Sequence, residues 1–246
     1  SNGLVLDNNG NKMSKRLGNA ADPFQIIDKY GADAARWYMI SNAQPWDNLK
    51  FDEGGIKDVQ RKFFGTLYNT YSFFSLYANI DSFTYKEEDV AIENRAEIDR
   101  WILSELNTLI TAVEENYEKY EPTKLARLIQ DFVIDKLSNW HIRLSRRRFW
   151  KGEYNVEKIS AYQTLYECLE KIAILSAPIA PFFMDRLFLD LNTVSQKHSV
   201  SSIHLAVFPK SNKTKIDPRL EQRMRLAQNI TSLALSLFLM EIKIEK

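Results

Sequence analysis

Apolar residues recur every three to four positions over most of this chain, the spacing that lines one face of an α-helix. The period predicts helices over residues 56–80, 94–119, 123–151, 157–177 and 180–191. Breaks fall at Ile80-Asp81-Ser82, Glu121-Pro122, Gly152 and Pro178 to Pro181. Long helices joined by short connections make an antiparallel bundle. The first fifty residues read differently. Leu4-Val5-Leu6 is a short strand before the turn signal Asp7-Asn8-Asn9-Gly10-Asn11, and an exposed loop follows over 12–19. Asp22-Pro23 supplies an N-cap and a first helical residue, Ile26, Ile27 and Tyr30 continue that helix, and Gly31 closes it. A further short helix covers 33–40. Towards the other end, Ile203-His204-Leu205-Ala206-Val207-Phe208 reads as a strand stopped by Pro209, and a last helix covers 218–240. The expected class is therefore mainly α, a helical bundle preceded by a small α/β unit, with divisions at 1–52, 53–200 and 201–246.

Composition narrows what such a bundle can do. Of 246 residues, 45% are hydrophobic, enough to build a sizeable core and to exclude a disordered chain. Lys and Arg number 33 against 32 Asp and Glu, so polyanion binding by bulk charge is excluded and any such affinity must be local. One Cys excludes a disulfide framework and a Cys-based zinc finger, and fits a reducing, cytoplasmic setting. Leu233 to Met240 is the longest apolar run near the end, too short for the roughly 20 residues a membrane helix needs. No initiator Met is present, and the chain reads as a piece of something longer.

Two clusters carry candidate chemistry. Lys12-Met13-Ser14-Lys15-Arg16, with Leu17-Gly18-Asn19 behind it, places two lysines three residues apart beside a hydroxyl and a glycine. Ammonium groups so placed act as movable point charges around a polyphosphate. A solvated basic turn is the plain alternative. In the second cluster, Arg143, Arg146, Arg147, Arg148 and Lys151 crowd two turns among Trp140, His141, Phe149 and Trp150. Cations pair with phosphates and flat groups stack on unpaired bases, which suits single-stranded RNA loops. On the helical period Leu125, Leu128, Ile129, Phe132, Val133 and Trp140 form the core face. Arg146 and Arg148 then fall on its flanks, while Arg143 and Arg147 fall on the apolar side and should enter a groove or a buried pair. The plain alternative is a helix end with favourable cations, partly neutralised by Asp131 and Asp135, with Trp140 as a core anchor. Cys168 reads as buried core. The aromatic cluster Phe63, Phe64, Tyr68, Tyr71, Phe73 and Phe74 spreads around its helix and predicts burial on several sides. His204 reads as structural, and no spacing suggests a metal site.

Lys-Met-Ser-Lys-Arg resembles the second signature loop of class I aminoacyl-tRNA synthetases, whose usual form ends Lys-Ser. Lys29-Tyr30-Gly31-Ala32-Asp33-Ala34-Ala35-Arg36 is similar to the segment that follows that loop in the isoleucyl, valyl and leucyl enzymes. Leu67-Tyr68-Asn69-Thr70-Tyr71, Asp99-Arg100-Trp101-Ile102-Leu103-Ser104, Asn139-Trp140-His141-Ile142-Arg143, Ala177-Pro178-Ile179-Ala180-Pro181-Phe182 and Ser202 to Pro209 are similar to the isoleucyl branch. The resemblance covers about Gly3 to Ser236. It implies an anticodon-binding bundle that contacts isoleucine tRNA through Arg143, Arg146, Arg147, Arg148 and Lys151, with Arg143, Arg147 and Arg148 favoured. It implies that Lys12 and Lys15, with Ser14, contact the ATP phosphates while isoleucine is activated, with Mg2+ in the whole enzyme. Arg16 and His141 depart from the commoner Ser and Tyr, as does the sequence beyond Leu237. The histidines at 141, 198 and 204 lie in no His-Ile-Gly-His motif, so the fragment is expected to be inactive alone; it is further expected to be monomeric and to hold no cofactor by itself. The equivalent part of a valyl or leucyl enzyme, and a helical protein-interaction module, are the competing readings.

Overall fold

The computed structural model describes residues 3–244. Strand β1 (Val5–Leu6) pairs in parallel with β2 (Leu49–Lys50), Val5 opposite Leu49 and Leu6 opposite Lys50. Parallel pairing requires a crossover, supplied by α1 (Pro23–Tyr30) and α2 (Ala32–Asn42). Asp22 caps α1 by accepting from the Phe24 amide at 2.9 Å, and Pro23 needs no donor there. Tyr38 ties the unit together. Its hydroxyl donates to the Lys50 carbonyl at 3.1 Å and accepts from the Asp52 amide at 3.0 Å. Gly55 is required beneath it, because a Cβ there would stand 2.3 Å from the Tyr38 ring.

The predicted helix at 56–80 is a continuous helical path of α3 (Glu53–Val59), a wide π turn (Gln60–Phe64) and α4 (Gly65–Ile80). The remaining bundle consists of α5 (Glu97–Glu118), α6 (Pro122–Asp131), a π segment (Phe132–Ile142), α7 (Arg143–Trp150), α8 (Val156–Ser176) and α9 (Pro181–Ser195). Helix α10 (Pro218–Ile244) docks its first turns on α5, where Glu221 accepts from Ser104 and Thr108 and Leu220 is buried. No helix among the described residues is long and apolar enough to cross a membrane.

One core runs through both parts. Trp37 of α2 is fully buried and stacks on Phe63 at 4.1 Å between ring centroids. The free carbonyls at the end of α2 are satisfied from α6: Thr123 donates to Ile40 and Ala43, and Arg127 to Ser41 and Asn42. In return, Asp33 of α2 accepts from the Phe183 amide in the first turn of α9 at 2.6 Å. Arg36 donates to the carbonyls of Pro178 and Ile179. Reciprocal capping of this kind fixes the small unit on the bundle.

One expectation needs correction. Residues 203–208 form no strand: Ile203–Leu205 is a short 3-10 turn. Asp185 accepts from the Ser202 hydroxyl and the Ile203 amide at 2.8 Å each, so side chain and backbone are satisfied locally and no neighbouring strand is available. The aromatic cluster is buried on several sides, as its spread predicts, with Tyr71 and Phe73 packed partly buried against the core. Phe63, Phe64 and Phe74 are buried, but Tyr68 stands exposed. Cys168 is fully buried, as expected.

Candidate nucleic-acid interface and lysine loop

The 12–19 loop is held from beneath by two side chains. Asn19 accepts from the Ser14 amide at 2.8 Å through its carbonyl oxygen and donates through its amide nitrogen to Asp7 at 2.9 Å. Asp7 also accepts from the Asn9 and Asn11 amides, which closes the preceding turn. The Asn11 amide, the Asn19 side chain and further bonds hold the Asp7 carboxyl below its ordinary pKa. Lys15–Leu17 forms one 3-10 turn, ended by Gly18 with φ of 69°, a left-handed conformation that glycine adopts without strain. Lys12, Lys15 and Arg16 all point into solvent, and none forms an ion pair among the described residues. The backbone is thus braced while both ammonium groups stay free to meet an anion.

The basic helix is built differently. Asp99, in the first turn of α5, lies on the same stripe as Ile102, Leu106 and Val113 and is fully buried. A carboxylate there needs cationic or hydrogen-bonding partners. Arg148 grips it with both ends of its fork, Nη1 to Oδ1 at 2.8 Å and Nη2 to Oδ2 at 2.7 Å. His141 donates through Nε2 to Oδ1 at 3.0 Å, and Ser160 adds its hydroxyl at 3.3 Å. Burial alone would raise the Asp99 pKa, but the bonds from His141 and Arg148 outweigh it and hold the carboxyl at about 2. Nη2 of Arg148 also reaches the Glu157 carbonyl at 3.0 Å, joining α7 to the start of α8. Phe149, buried next to it, meets Phe73 and Tyr162 edge-on at 5.1 Å each.

This geometry reassigns the arginines. Arg148 is the residue in the buried pair; its side chain is only 14% exposed and committed to Asp99. Arg143 and Arg147, expected to leave the apolar side for a groove or buried pair, are exposed instead, as are Arg146 and Lys151. The cause is the π segment, whose i→i+5 bonding runs through Phe132–Ile142. The widened hydrogen bonding takes in one extra residue, and the side chains beyond it stand about 100° further round the axis, so that Arg148 holds the inward place an unbroken period gives to Arg147. Arg147, Arg148, Lys151, Glu157 and Lys158 line a cleft of about 290 Å³ at the turn into α8. Among the described residues Asp131 and Asp135 form no ion pair with the arginines of α7. Trp140 is half-buried against the core, in the packing role expected of it. Sequence reasoning missed Asp99 as the anchor. The available signal was a lone carboxylate on the apolar stripe of a long helix.

Residues 99–241 match the family profile described as anticodon-binding domain of tRNA ligase, and residues 1–52 match that of class I tRNA synthetases (I, L, M and V). The chain belongs to the anticodon-binding domain family of tRNA ligases. Within it, the chain is 64% identical over 237 residues to an isoleucine–tRNA ligase of Cytophaga hutchinsonii and 65% identical over 237 residues to that of Bacteroides thetaiotaomicron. Both alignments cover 96% of this chain, which spans 21% and 20% of those relatives. Solved structures share the fold, two of them as follows. A leucyl enzyme of Agrobacterium radiobacter in a ternary complex with tRNA and LeuAMS gives a TM-score of 0.64 at 19% identity, over 88% of this chain and 24% of the other. Mycobacterium tuberculosis methionyl-tRNA synthetase with methionyl-adenylate gives 0.61 at 21% identity, over 81% of this chain and 40% of the other.

Proposed function

We propose that this chain is the tRNA-binding part of an isoleucine–tRNA ligase, in which 1–52 carry the lysine loop, 53–200 receive the anticodon stem-loop and 201–246 begin a junction. The observation that carries it is the row of exposed cations Arg143, Arg146, Arg147 and Lys151, without an ion-pair partner among the described residues, on a helix end fixed by the buried Asp99–Arg148 pair. Cations held at fixed spacing suit successive phosphates, and the exposed Trp150 offers a ring for stacking. Arg148 acts there as the anchor of the helix end. Lys12 and Lys15, with Ser14 between them, contact the ATP phosphates in the whole enzyme. Their free ammonium groups fit a polyphosphate carrying Mg2+ and would stabilise charge on the leaving pyrophosphate. The chain acts as a monomer in the cytoplasm and does not activate isoleucine alone.

Filter binding of an isoleucine tRNA and a non-cognate tRNA at several salt concentrations tests the reading. Selective binding that persists at moderate salt is expected. Equal binding of both transcripts would favour a bundle without anticodon recognition. ATP–pyrophosphate exchange on the chain alone should stay at background.

A further inference from the structure

A second charged cleft lies on α8, beginning about two turns beyond Ser160. It has a volume of about 440 Å³ and is lined in part by Arg95, Glu167, Glu170, Lys171, Lys197 and Lys215. Its charges are unevenly matched. Glu167 is taken by Lys215 at 2.6 Å, and Glu170 by Lys171 at 2.7 Å and His198 at 2.8 Å. Asp89 stands on the exposed rim. Arg95 and Lys197 are left with no carboxylate within ion-pair distance among the described residues.

Arg95 is only 7% exposed, and its three bonds go to neutral acceptors: the Val90 carbonyl at 2.9 Å, Thr164 Oγ1 at 3.0 Å and Gln163 Oε1 at 3.4 Å. A guanidinium has five N–H groups, so two remain. A buried cation without a counter-ion is costly. Lys197 faces the same cleft from the other wall, its ammonium 3.3 Å from the centroid of Tyr85. Burial pulls its pKa below the ordinary lysine value, against the opposing pull of Glu170, Asp89 and Glu167. The two residues that bring ring and ammonium together, Tyr85 and Gln196, have φ of 63° and 52°. Left-handed backbone is uncommon for such side chains and clusters where a surrounding structure enforces it.

We propose that this cleft is a binding site for a small phosphate-bearing anion, held by Arg95 from its floor and Lys197 from its wall. A tetrahedral dianion takes the unused guanidinium N–H groups and the lysine together, with Asn212 and Thr214 lining the same space. The volume exceeds that of one phosphate and leaves room for a small organic group, as in a sugar phosphate. This site is separate from the exposed arginines of α7 and from the lysine loop, and does not depend on their role.

Calorimetric titration of the chain with inorganic phosphate and with ribose 5-phosphate, against chloride and acetate at equal ionic strength, tests the proposal. Saturable one-to-one binding of the phosphates is expected, with at least tenfold weaker binding in Lys197→Gln. Arg95→Lys, which keeps the charge but loses the fork, should weaken binding while circular dichroism remains unchanged. Because Arg95 also supports the fold, Lys197→Gln is the deciding variant. Absence of saturable phosphate binding, equal heats from chloride and acetate, or full binding by folded Lys197→Gln would each overturn the site.

Discussion

The lysine loop and the end of α7 both present bare cations, yet they are supported in opposite ways. The loop rests on amide hydrogen bonds near the surface, to the Asn19 carbonyl oxygen and to the Asp7 carboxylate, with no buried ion pair. The helix end rests on an ion pair taken out of water, Asp99 with Arg148, joined by a hydrogen bond from the His141 ring. Such bonds contribute about 1 kcal/mol net between neutral groups and about 1.5–3 kcal/mol to a charged acceptor. A buried pair contributes little in excess of its apolar replacement, but losing one partner strands the other at about 3–5 kcal/mol. The loop is therefore easy to loosen and suited to follow a ligand. The helix end is rigid, and a defect in its anchor spreads to every arginine on it.

Breaking the anchor should give the largest effect. Asp99→Ala leaves Arg148 buried without its counter-ion, and urea unfolding should show a loss of about 3–5 kcal/mol. A loss below about 1 kcal/mol would mean that the pair is solvated. Acid should weaken the same anchor through its titration. The Asp99 carboxyl sits at about 2 in the folded chain against an ordinary value of 3.8. Its contribution of about 2 kcal/mol is present above pH 4 and disappears as pH falls through 2. Asp99→Asn should flatten that part of a stability profile, and an unchanged profile would assign the acid sensitivity elsewhere.

Charge reversal on the exposed side separates anchoring from RNA binding. Arg146→Glu with Arg147→Glu should leave the melting temperature nearly unchanged but weaken tRNA binding at least tenfold. The slope of log K against log salt should fall by about 2, one for each phosphate that no longer meets a cation. Binding equal to wild type would remove this helix from the interface. On the loop the effects should be smaller. Asn19→Ala removes the bond to the Ser14 amide and should cost about 1 kcal/mol, with faster hydrogen exchange at that amide. Smallest of all, Lys12→Ala and Lys15→Ala should change stability by less than about 0.5 kcal/mol, because neither ammonium has a protein partner among the described residues. A larger loss would show that the loop depends on its lysines for its own shape.

The sequence made the bundle legible because helical periodicity is a local property. Asp22-Pro23 and Gly31 mark α1 through capping chemistry that needs only neighbouring residues. The Lys12 to Asn19 loop was legible too, as composition and turn signals decide its exposure. Less legible was the path of a helix once its hydrogen bonding changes. An unbroken 3.6-residue period puts Arg143 and Arg147 on the apolar side, whereas the π segment Phe132–Ile142 turns Arg148 inward instead. The short run 203–208 had strand composition but no strand to pair with. Pairing and register depend on what lies opposite, which a local pattern does not contain.

By itself, then, the sequence determined the helices, their caps, the exposed lysine loop and the presence of a basic helix end, since each follows from residues within a few positions of one another. Only the tertiary structure decided which arginine is an anchor and which are free. It brought Asp99 to Arg148 across 49 residues. It also left Arg95 and Lys197 facing one cleft with no carboxylate within ion-pair distance of either among the described residues. Charges choose partners by distance and burial, and both are properties of the folded chain.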